Sequence, residues 1–147
     1  MDKVLLKENL INQQELVIKE LEEKINVAHS MVDIDESDTI DPEDRSHQYE
    51  SGEMENLVKT QLQKAKADFE TLKNLDFGTK TIVEPGAFVQ TEKFNFIVGF
   101  PVVPFDFGEM HIVGISQASP IYQFMTGKKV NDSFEFGGKH YTIKAIY

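Results

Sequence analysis

The apolar residues in the first half of the chain follow a seven-residue spacing, which strongly limits the folds open to it. One row of this pattern consists of Val4, Ile11, Ile18, Ile25 and Val32. A second set lies one position before or three positions after members of that row: Leu10, Val17, Leu21, Ala28 and Met31. Residues 2–32 contain no Gly or Pro. The pattern therefore predicts one uninterrupted helix of about 45 Å with a single apolar stripe.

A second helix is predicted after a start signal in the sequence. Asp41 is suited to the N-cap and Pro42 to the first helical position, and the acidic residues that follow favour the positive end of the helix dipole. Because Gly52 weakens the first turns by roughly 1 kcal/mol relative to Ala, we expect the helix to start effectively near Ser51.

The second helix also has an apolar stripe, with steps of three and four residues. Its members are Met54, Val58, Leu62, Ala65, Phe69 and Leu72. Two helices with matching stripes and a short connection predict an antiparallel coiled-coil hairpin over residues 1–76.

Seven acidic residues and no Lys or Arg occur within residues 33–44, between the two predicted helices. The predicted tip of the hairpin, at about residues 33–45, is therefore strongly negative. The chain has 25 acidic and 15 basic residues and a net charge of −10, so the tip supplies most of the imbalance. The near-neutral remainder argues against non-specific binding to a nucleic acid backbone. Such a tip predicts either a site for a cation or a basic partner, or a solvated loop.

The chain after residue 76 has a different composition and is predicted to be β-rich. Ten of the eleven Phe residues lie at Phe77 or later. Strand patterns occur at residues 87–98, with a turn at Glu92 and Lys93, and at residues 110–115. Residues 101–108 are interpreted as a loop.

A short helix and a hairpin complete this predicted domain of residues 77–147. Ser119 is suited to the N-cap of the helix, Pro120 to its first position and Gly127 to its end. Residues 134–143 form a hairpin pattern around a Gly-Gly turn. The predicted fold class is α+β, and alternating aromatic residues are interpreted as the core of a small sheet.

Cysteine is absent from the chain, which excludes disulfides and thiol catalysis. The N-terminus lacks the apolar core of a signal peptide, and no apolar run approaches the roughly 20 residues that span a bilayer. These features predict a cytoplasmic protein with no membrane partner.

The segment from Ser119 to Asp132 resembles the C-terminal signature of the Gre-type transcription elongation and transcript-cleavage factors. That signature runs Ser-Pro, a short apolar helix, Gly-Lys-x-x-Gly-Asp and a hairpin, and Asn131 stands here where the family usually has Gly. Residues 83–89 are also similar to the opening strand of the family's C-terminal domain. The order of parts agrees over nearly the whole chain, and the resemblance implies an FKBP-like fold for residues 77–147.

The resemblance implies a regulator that binds bacterial RNA polymerase and meets nascent RNA and DNA only within the elongation complex. Ser119, Pro120, Lys128 and Lys129 would contact the polymerase, and the hairpin would enter its secondary channel. The tip would donate carboxylate ligands from Asp41 and Asp44, with Asp38 as the next candidate. They would bind a Mg²⁺ shared with the polymerase active site, with no intrinsic cofactor. The chain would thus assist cleavage of backtracked RNA without being an enzyme itself.

The tip departs from the family pattern. Aligning Asp41 and Asp44 with the family's acidic pair requires one extra residue before Tyr49. An ungapped match places Pro42 and Arg45 at those positions, and neither can bind a metal. Some Gre-like relatives with highly acidic tips inhibit the polymerase, so a Gre-like inhibitor without cleavage activity is an alternative. A chaperone-like or peptidyl-prolyl isomerase-like binding module, whose helical arm grips a client, is another.

Overall fold

The computed structural model describes the backbone of residues 1–32 and 42–147 and the side chains of residues 1–29 and 52–147. Two long helices come first in the chain: α1 spans Lys3–Val32 and α2 spans Pro42–Asn74. Asp2 precedes α1, and its Oδ1 accepts a hydrogen bond from the Leu5 amide at 3.0 Å. An exposed N-terminal amide is thereby satisfied, as an N-cap requires.

The second helix begins earlier than the Gly52 argument predicted. It starts at Pro42, the first position predicted from the start signal, and continues through Gly52. The expected effective start near Ser51 is wrong because one glycine weakens a long helix without breaking it. The predicted N-cap, Asp41, lies outside the described residues.

Contacts between residues divide the chain into two compact units. One unit is formed by residues 11–70, and the other by residues 1–10 together with residues 71–147. Both long helices run through this division, and the domain boundary predicted at residue 76 stays a prediction.

Within residues 11–70 the two helices pair in opposite directions. Gln14 Nε2 donates to the Ala65 carbonyl at 2.9 Å, and His29 Nδ1 lies 3.7 Å from Glu55 Oε1. Moving forward along α1 therefore means moving backward along α2. This confirms the predicted antiparallel arrangement of the helices.

The apolar stripe of α1 is confirmed for most of its described members and wrong for Val4 and Val17. Ile11, Ile18 and Ile25 are half-buried, and Ala28 is buried. Val4, by contrast, is 71 % exposed. A strict seven-residue row drifts by about 20° per heptad around a straight α-helix, so its end leaves the inner face.

Two further stripe residues, Val17 of α1 and Met54 of α2, are also exposed. In α2 the residue that faces the partner helix is Glu55, one position after Met54. The side chain of Glu55 is only 12 % exposed. The other residues of the α2 stripe are buried or half-buried. Val58 and Ala65 are buried, and so is Leu72, which belongs to the other unit.

The remainder of the chain forms a six-stranded sheet and one short helix. The strands are β1 (Phe88–Thr91), β2 (Asn95–Val98), β3 (Phe105–Phe107), β4 (Met110–Ile115), β5 (Ser133–Phe136) and β6 (Lys139–Ile146). The short helix α3 spans Pro120–Met125. The strand order is β3-β4-β2-β1-β6-β5, and every neighbouring pair is antiparallel except β2 with β4, which is parallel.

These elements confirm the predicted α+β class and most of the predicted strands. The turn expected at Glu92 and Lys93 separates β1 from β2, and Gly137 and Gly138 join β5 to β6 with positive φ angles. The predicted loop over residues 101–108 is partly wrong, because it contains β3. The FKBP-like assignment stays a prediction.

Aromatic and aliphatic side chains from the sheet and α3 form the core of this unit. Its buried members include Val89, Phe96, Met125, Phe134 and Tyr141. Phe134 and Tyr141 stack with ring centroids 5.1 Å apart. The aromatic alternation was therefore correctly interpreted as a sheet core. No helix among the residues that the structure describes is long and apolar enough to cross a membrane.

Candidate partner-binding surface

The predicted acidic tip lies mainly outside the described part of the chain. Asp38 and Asp41 belong to the undescribed segment, and Asp44 lies in α2 with its side chain undescribed. Within the described residues, no group of three or more His, Asp or Glu side chains is arranged to hold a metal ion. The predicted Mg²⁺ ligands therefore stay a prediction.

Ser119 lies at the start of α3, where its hydroxyl fixes the preceding turn. Its Oγ accepts a hydrogen bond from the Ser116 amide at 3.1 Å and lies 3.1 Å from the Ser116 hydroxyl. Ser119 occupies the N-cap position, as predicted. Its side chain makes no hydrogen bond to an amide of α3, unlike the usual serine N-cap. Pro120 is the first helical residue, as predicted. The pair sets where α3 begins.

Lys128 and Lys129 follow α3 in a turn that is tied to the sheet by main-chain hydrogen bonds. The Lys128 carbonyl accepts a hydrogen bond from the Val83 amide at 2.8 Å. The Lys129 amide donates to Asp132 Oδ2 at 2.7 Å. The left-handed Asn131, with φ of 73°, donates its amide to the Ile143 carbonyl at 2.8 Å. This turn holds the main chain of both lysines, while the Lys129 side chain is exposed.

Apolar side chains border the two lysines, and the sequence prediction did not include them. Phe124 on α3 is 51 % exposed, and its ring centroid lies 5.8 Å from that of Phe136. Val130 is exposed in the turn itself. Together these four residues form the α3 surface: Phe124, Lys128, Lys129 and Val130.

A signal for Phe124 is present in the sequence. Ile121, Tyr122 and Met125 pack on the core, and at about 100° per residue the centre of their face of α3 lies roughly 100° around the helix from Phe124. Phe124 falls off this face, so an aromatic ring remains outside the core. An exposed aromatic ring is typical of partner-binding surfaces, which are enriched in aromatic residues, and the neighbouring lysines would favour an acidic partner.

Three lysines of α2 have carboxylate partners within the protein. Lys59 Nζ lies 2.7 Å from Glu55, Lys64 Nζ lies 2.7 Å from Asp68, and Lys66 Nζ lies 3.5 Å from Glu22. Each pair reduces the positive charge that the helix offers to phosphates. The α2 lysines are therefore a weaker candidate than the α3 surface for contact with a charged partner.

Glu55 lies in the described helix pair and has a pKa shifted from its ordinary value. Its carboxylate accepts a hydrogen bond from Lys59, and this bond holds its pKa below the ordinary range. The nearby His29 acts in the same direction, and desolvation opposes both. Glu55 therefore stays ionised at neutral pH, and the charge of Lys59 balances its own.

Comparison with known proteins finds similarity to solved structures only. Crystal structures of Gfh1, a GreA factor homologue, from Thermus thermophilus and Thermus aquaticus are 18% and 22% identical to this chain. They cover 93% and 95% of this chain and 94% and 92% of their own chains, with TM-scores of 0.36 and 0.33. A further structure, described as the transcription factor Gfh1, is 19% identical, covers 96% of this chain and 92% of its own, and has a TM-score of 0.36. No protein-family model and no curated protein match the chain. GreA, of which Gfh1 is described as a homologue, belongs to the Gre-type family that the sequence resembles.

Proposed function

We propose that this chain is a Gre-like regulator of transcription elongation that binds bacterial RNA polymerase. The observation that carries the proposal is the folded form of the signature segment, Ser119 to Asp132. This segment builds α3 and a hydrogen-bonded turn, and it presents Phe124 and Lys129 outward. An aromatic and basic surface on an ordered turn suits docking to an acidic protein surface, because little main-chain order must be gained on binding.

The helix pair and the acidic segment supply the second half of the proposal. Two long antiparallel helices lie on either side of a segment with seven acidic residues. In this proposal the α3 surface holds the polymerase and the acidic segment acts in its secondary channel. The protein then contacts RNA and DNA only inside the elongation complex. It resides in the cytoplasm.

The tip carboxylates are the groups proposed to act on the polymerase active site. Asp41 and Asp44, with Asp38 as the next candidate, would supply oxygen ligands to a Mg²⁺ shared with the polymerase. Mg²⁺ favours hard oxygen ligands and keeps several waters, so one or two carboxylates suffice. Such an ion stabilises the charge on the attacking and leaving oxygens of a phosphodiester. The polymerase supplies the catalytic centre, and this chain is no enzyme by itself.

The direct test is transcript cleavage in a stalled, backtracked elongation complex. Wild-type protein is compared with the Asp41→Asn/Asp44→Asn variant and with a matched control, Glu20→Gln/Glu23→Gln, which changes exposed acids in the middle of α1. Shortened RNA with the wild type and the control, and none with the tip variant, would support ligand donation. Binding with slowed elongation and no cleavage would support the inhibitor form. Absence of any binding to the polymerase would refute both.

A client-gripping arm is a second candidate, because apolar side chains are exposed along the helices. Leu16, Val27, Met54 and Leu57 are all exposed. Val27, Ala28 and Met54 also line an open, mainly apolar groove of about 390 Å³. Exposed apolar patches of this kind often mark interaction surfaces.

Substitution separates the two candidates. The Leu16→Ser/Val27→Ser/Met54→Ser variant should lose suppression of client aggregation if the arm grips apolar segments. The same variant should keep polymerase binding if the α3 surface provides it. The Asp41→Asn/Asp44→Asn variant should behave in the opposite way, keeping any client binding and losing its effect on transcription.

A further inference from the structure

The open groove on the helix pair, within the unit formed by residues 11–70, has an apolar lining from both long helices. Val27, Ala28 and Met54 supply the apolar part of this groove of about 390 Å³. Ala28 is buried, whereas Val27 and Met54 remain more than half exposed. Exposed apolar surface of this kind gains free energy when a partner removes it from water. The groove can therefore receive apolar side chains of another chain.

Two acidic side chains at the groove have no partner within the protein. Glu20 and Glu23 line it from α1. In the part of the chain that the structure describes, neither carboxylate makes an ion pair or a hydrogen bond, whereas Glu22 lies 3.5 Å from Lys66 Nζ. Lys24 is the one basic side chain among the described residues of the lining. Two unpaired carboxylates against one ammonium group give the groove a net negative charge.

The acidic and apolar positions follow one strip of α1. Glu23 lies four residues before Val27, and Glu20 lies seven residues before it. Residues with these spacings share one side of a helix. At 1.5 Å per residue the strip is about 10 Å long. A chain docked along it would place an apolar side chain beside Val27 and basic side chains one and two helical turns away.

The sequence that follows α1 adds to the negative charge. The helix ends at Val32, which is about 8 Å along the helix axis from Val27. Residues 33–44 then carry seven acidic residues and no Lys or Arg. A distance of about 8 Å is comparable to the Debye length at physiological ionic strength, so these charges act on a partner at the groove. The field therefore favours a cationic partner over an acidic one.

The surroundings of the groove suit a helical partner better than an extended one. In α1 and α2 the main-chain amides and carbonyls are hydrogen-bonded within each helix, so the groove offers side chains alone. An extended peptide would gain no main-chain hydrogen bonds there, whereas a helix satisfies its own. Helices that dock in apolar grooves use apolar residues three or four positions apart.

We propose that this groove docks a basic amphipathic helix of a partner protein. The apolar side chains of that helix lie against Val27 and Met54, and its Lys or Arg side chains pair with Glu20 and Glu23. The proposal rests on the client-gripping candidate and names the chemistry of the client. It is independent of the regulation of the polymerase.

The test is fluorescence anisotropy with the full-length protein and a labelled synthetic helix. The probe has about 18 residues, with Leu at helical spacing and Lys on the flanks. Two matched peptides carry Ser in place of every Leu, or Glu in place of every Lys. We expect the Leu/Lys peptide to bind roughly tenfold more tightly than either. Equal binding of the Ser/Lys peptide would overturn the proposal, because it would assign the binding to net charge, and so would equal binding of the Leu/Glu peptide.

One pair of variants tests the apolar contacts. Val27→Ser/Met54→Ser should weaken binding of the Leu/Lys peptide by roughly tenfold, because two apolar surfaces leave the interface. Leu5→Ser/Val103→Ser changes two exposed apolar residues outside the groove and should leave the affinity unchanged. All four side chains are exposed, so loss of folding is not expected from either variant. Equal affinities in the two variants would contradict docking at the groove.

A second pair of variants tests the acidic contacts. Glu20→Gln/Glu23→Gln should weaken binding of the Leu/Lys peptide by roughly fivefold and reduce its dependence on salt. Glu8→Gln/Glu15→Gln removes the same charge from exposed positions of α1 outside the groove and should have no such effect. Equal weakening in both variants would overturn the proposal. The assay contains no polymerase, so its failure is distinct from a failure of the transcript-cleavage test.

Discussion

At the scale of single residues, polar and glycine side chains decide features that the apolar pattern does not predict. Glu55 takes an inner position of α2 because its carboxylate is satisfied by Lys59 and lies beside His29. A charged group is tolerated at an enclosed position only when it is paired in this way. One residue thus shifts the inner face of α2 away from Met54.

The contribution of Glu55 to stability should depend on pH. The pKa of Glu55 is lowered in the folded protein, chiefly by the hydrogen bond from Lys59. Its stabilisation is therefore fully present above the unfolded-state pKa of about 4.3 and disappears as the pH falls through the lower folded value. We expect Glu55→Gln to lower Tm at neutral pH, and the difference from wild type to shrink progressively below about pH 4. Circular dichroism melting at several pH values measures this.

The control for Glu55 is Glu23→Gln, at an exposed position of α1. It should leave Tm close to wild type at every pH, because it removes no enclosed pair. A constant difference between Glu55→Gln and wild type from neutral to acidic pH would contradict the electrostatic explanation.

Gly86 marks a second single-residue constraint, where two segments of main chain meet. Its φ is +89°, and an added Cβ would lie 1.7 Å from the Asp76 carbonyl oxygen. The Gly86 amide also donates to the Val98 carbonyl at 2.8 Å. Both the conformation and the close approach therefore require glycine.

Gly86→Ala should be strongly destabilising. Backbone strain and steric displacement together should cost about 2–5 kcal/mol of unfolding free energy. Gly108→Ala is the matched control, since Gly108 has a φ of +62° with no atom within 4 Å of an added Cβ. It should cost only about 1 kcal/mol. Urea denaturation of the two variants measures both values, and equal costs would show that the contact with Asp76 is unimportant.

At the scale of elements, α1 has an inner and an outer apolar row with different roles. Leu10 is 1 % exposed, whereas Leu16, on the same helix, is 60 % exposed. Leu5 and Val27 are also exposed, and each lies eleven residues from Leu16. Eleven residues are close to three helical turns, so the three side chains form one row along the outer surface of α1.

Truncation should separate the two rows. Leu10→Ala should lower the unfolding free energy by about 2–4 kcal/mol, because it leaves a cavity among buried neighbours. Leu16→Ala should stay within about 0.5 kcal/mol of wild type. Thermal melting followed by helical circular dichroism measures both. A loss of stability in Leu16→Ala as large as that in Leu10→Ala would mean that the outer row is buried in solution.

At the scale of the whole molecule, the proposed function divides between two sets of residues. Binding to the polymerase is assigned to the α3 surface, and the effect on the active site is assigned to the tip acids. The two sets belong to different parts of the chain, so their variants should fail in different ways. This separation distinguishes a docked regulator from a protein that acts only through its net charge of −10.

Lys128→Ala/Lys129→Ala should weaken binding to the polymerase by roughly tenfold, because two cations leave the docking surface. Lys19→Ala/Lys24→Ala removes the same charge from exposed positions of α1 and should leave the affinity unchanged. Biolayer interferometry against the core polymerase measures both. Equal weakening in the two double variants would assign the effect to net charge.

The sequence alone was sufficient for most of the elements. The heptad row predicts α1, the Asp-Pro start signal predicts α2 at Pro42, and Gly137 with Gly138 predicts the last hairpin. These signals are local, because helix periodicity, capping and turn conformation depend on residues close together in the chain. The resemblance at residues 119–132 also predicts that Ser119, Pro120, Lys128 and Lys129 contact the polymerase, and this stays a prediction.

Only the tertiary structure decided the features that depend on distant partners. Strand β3 forms in a predicted loop because its partner is β4, and β2 pairs in parallel with β4 across the intervening segment. Three other features also depend on distant partners. They are the exposure of Phe124, the enclosed position of Glu55 and the hydrogen bonds of Lys3 to Gly78 and Tyr147. Sequence spacing fixes which side chains share a face of one element, whereas burial, hydrogen bonding and pKa depend on which other element covers that face.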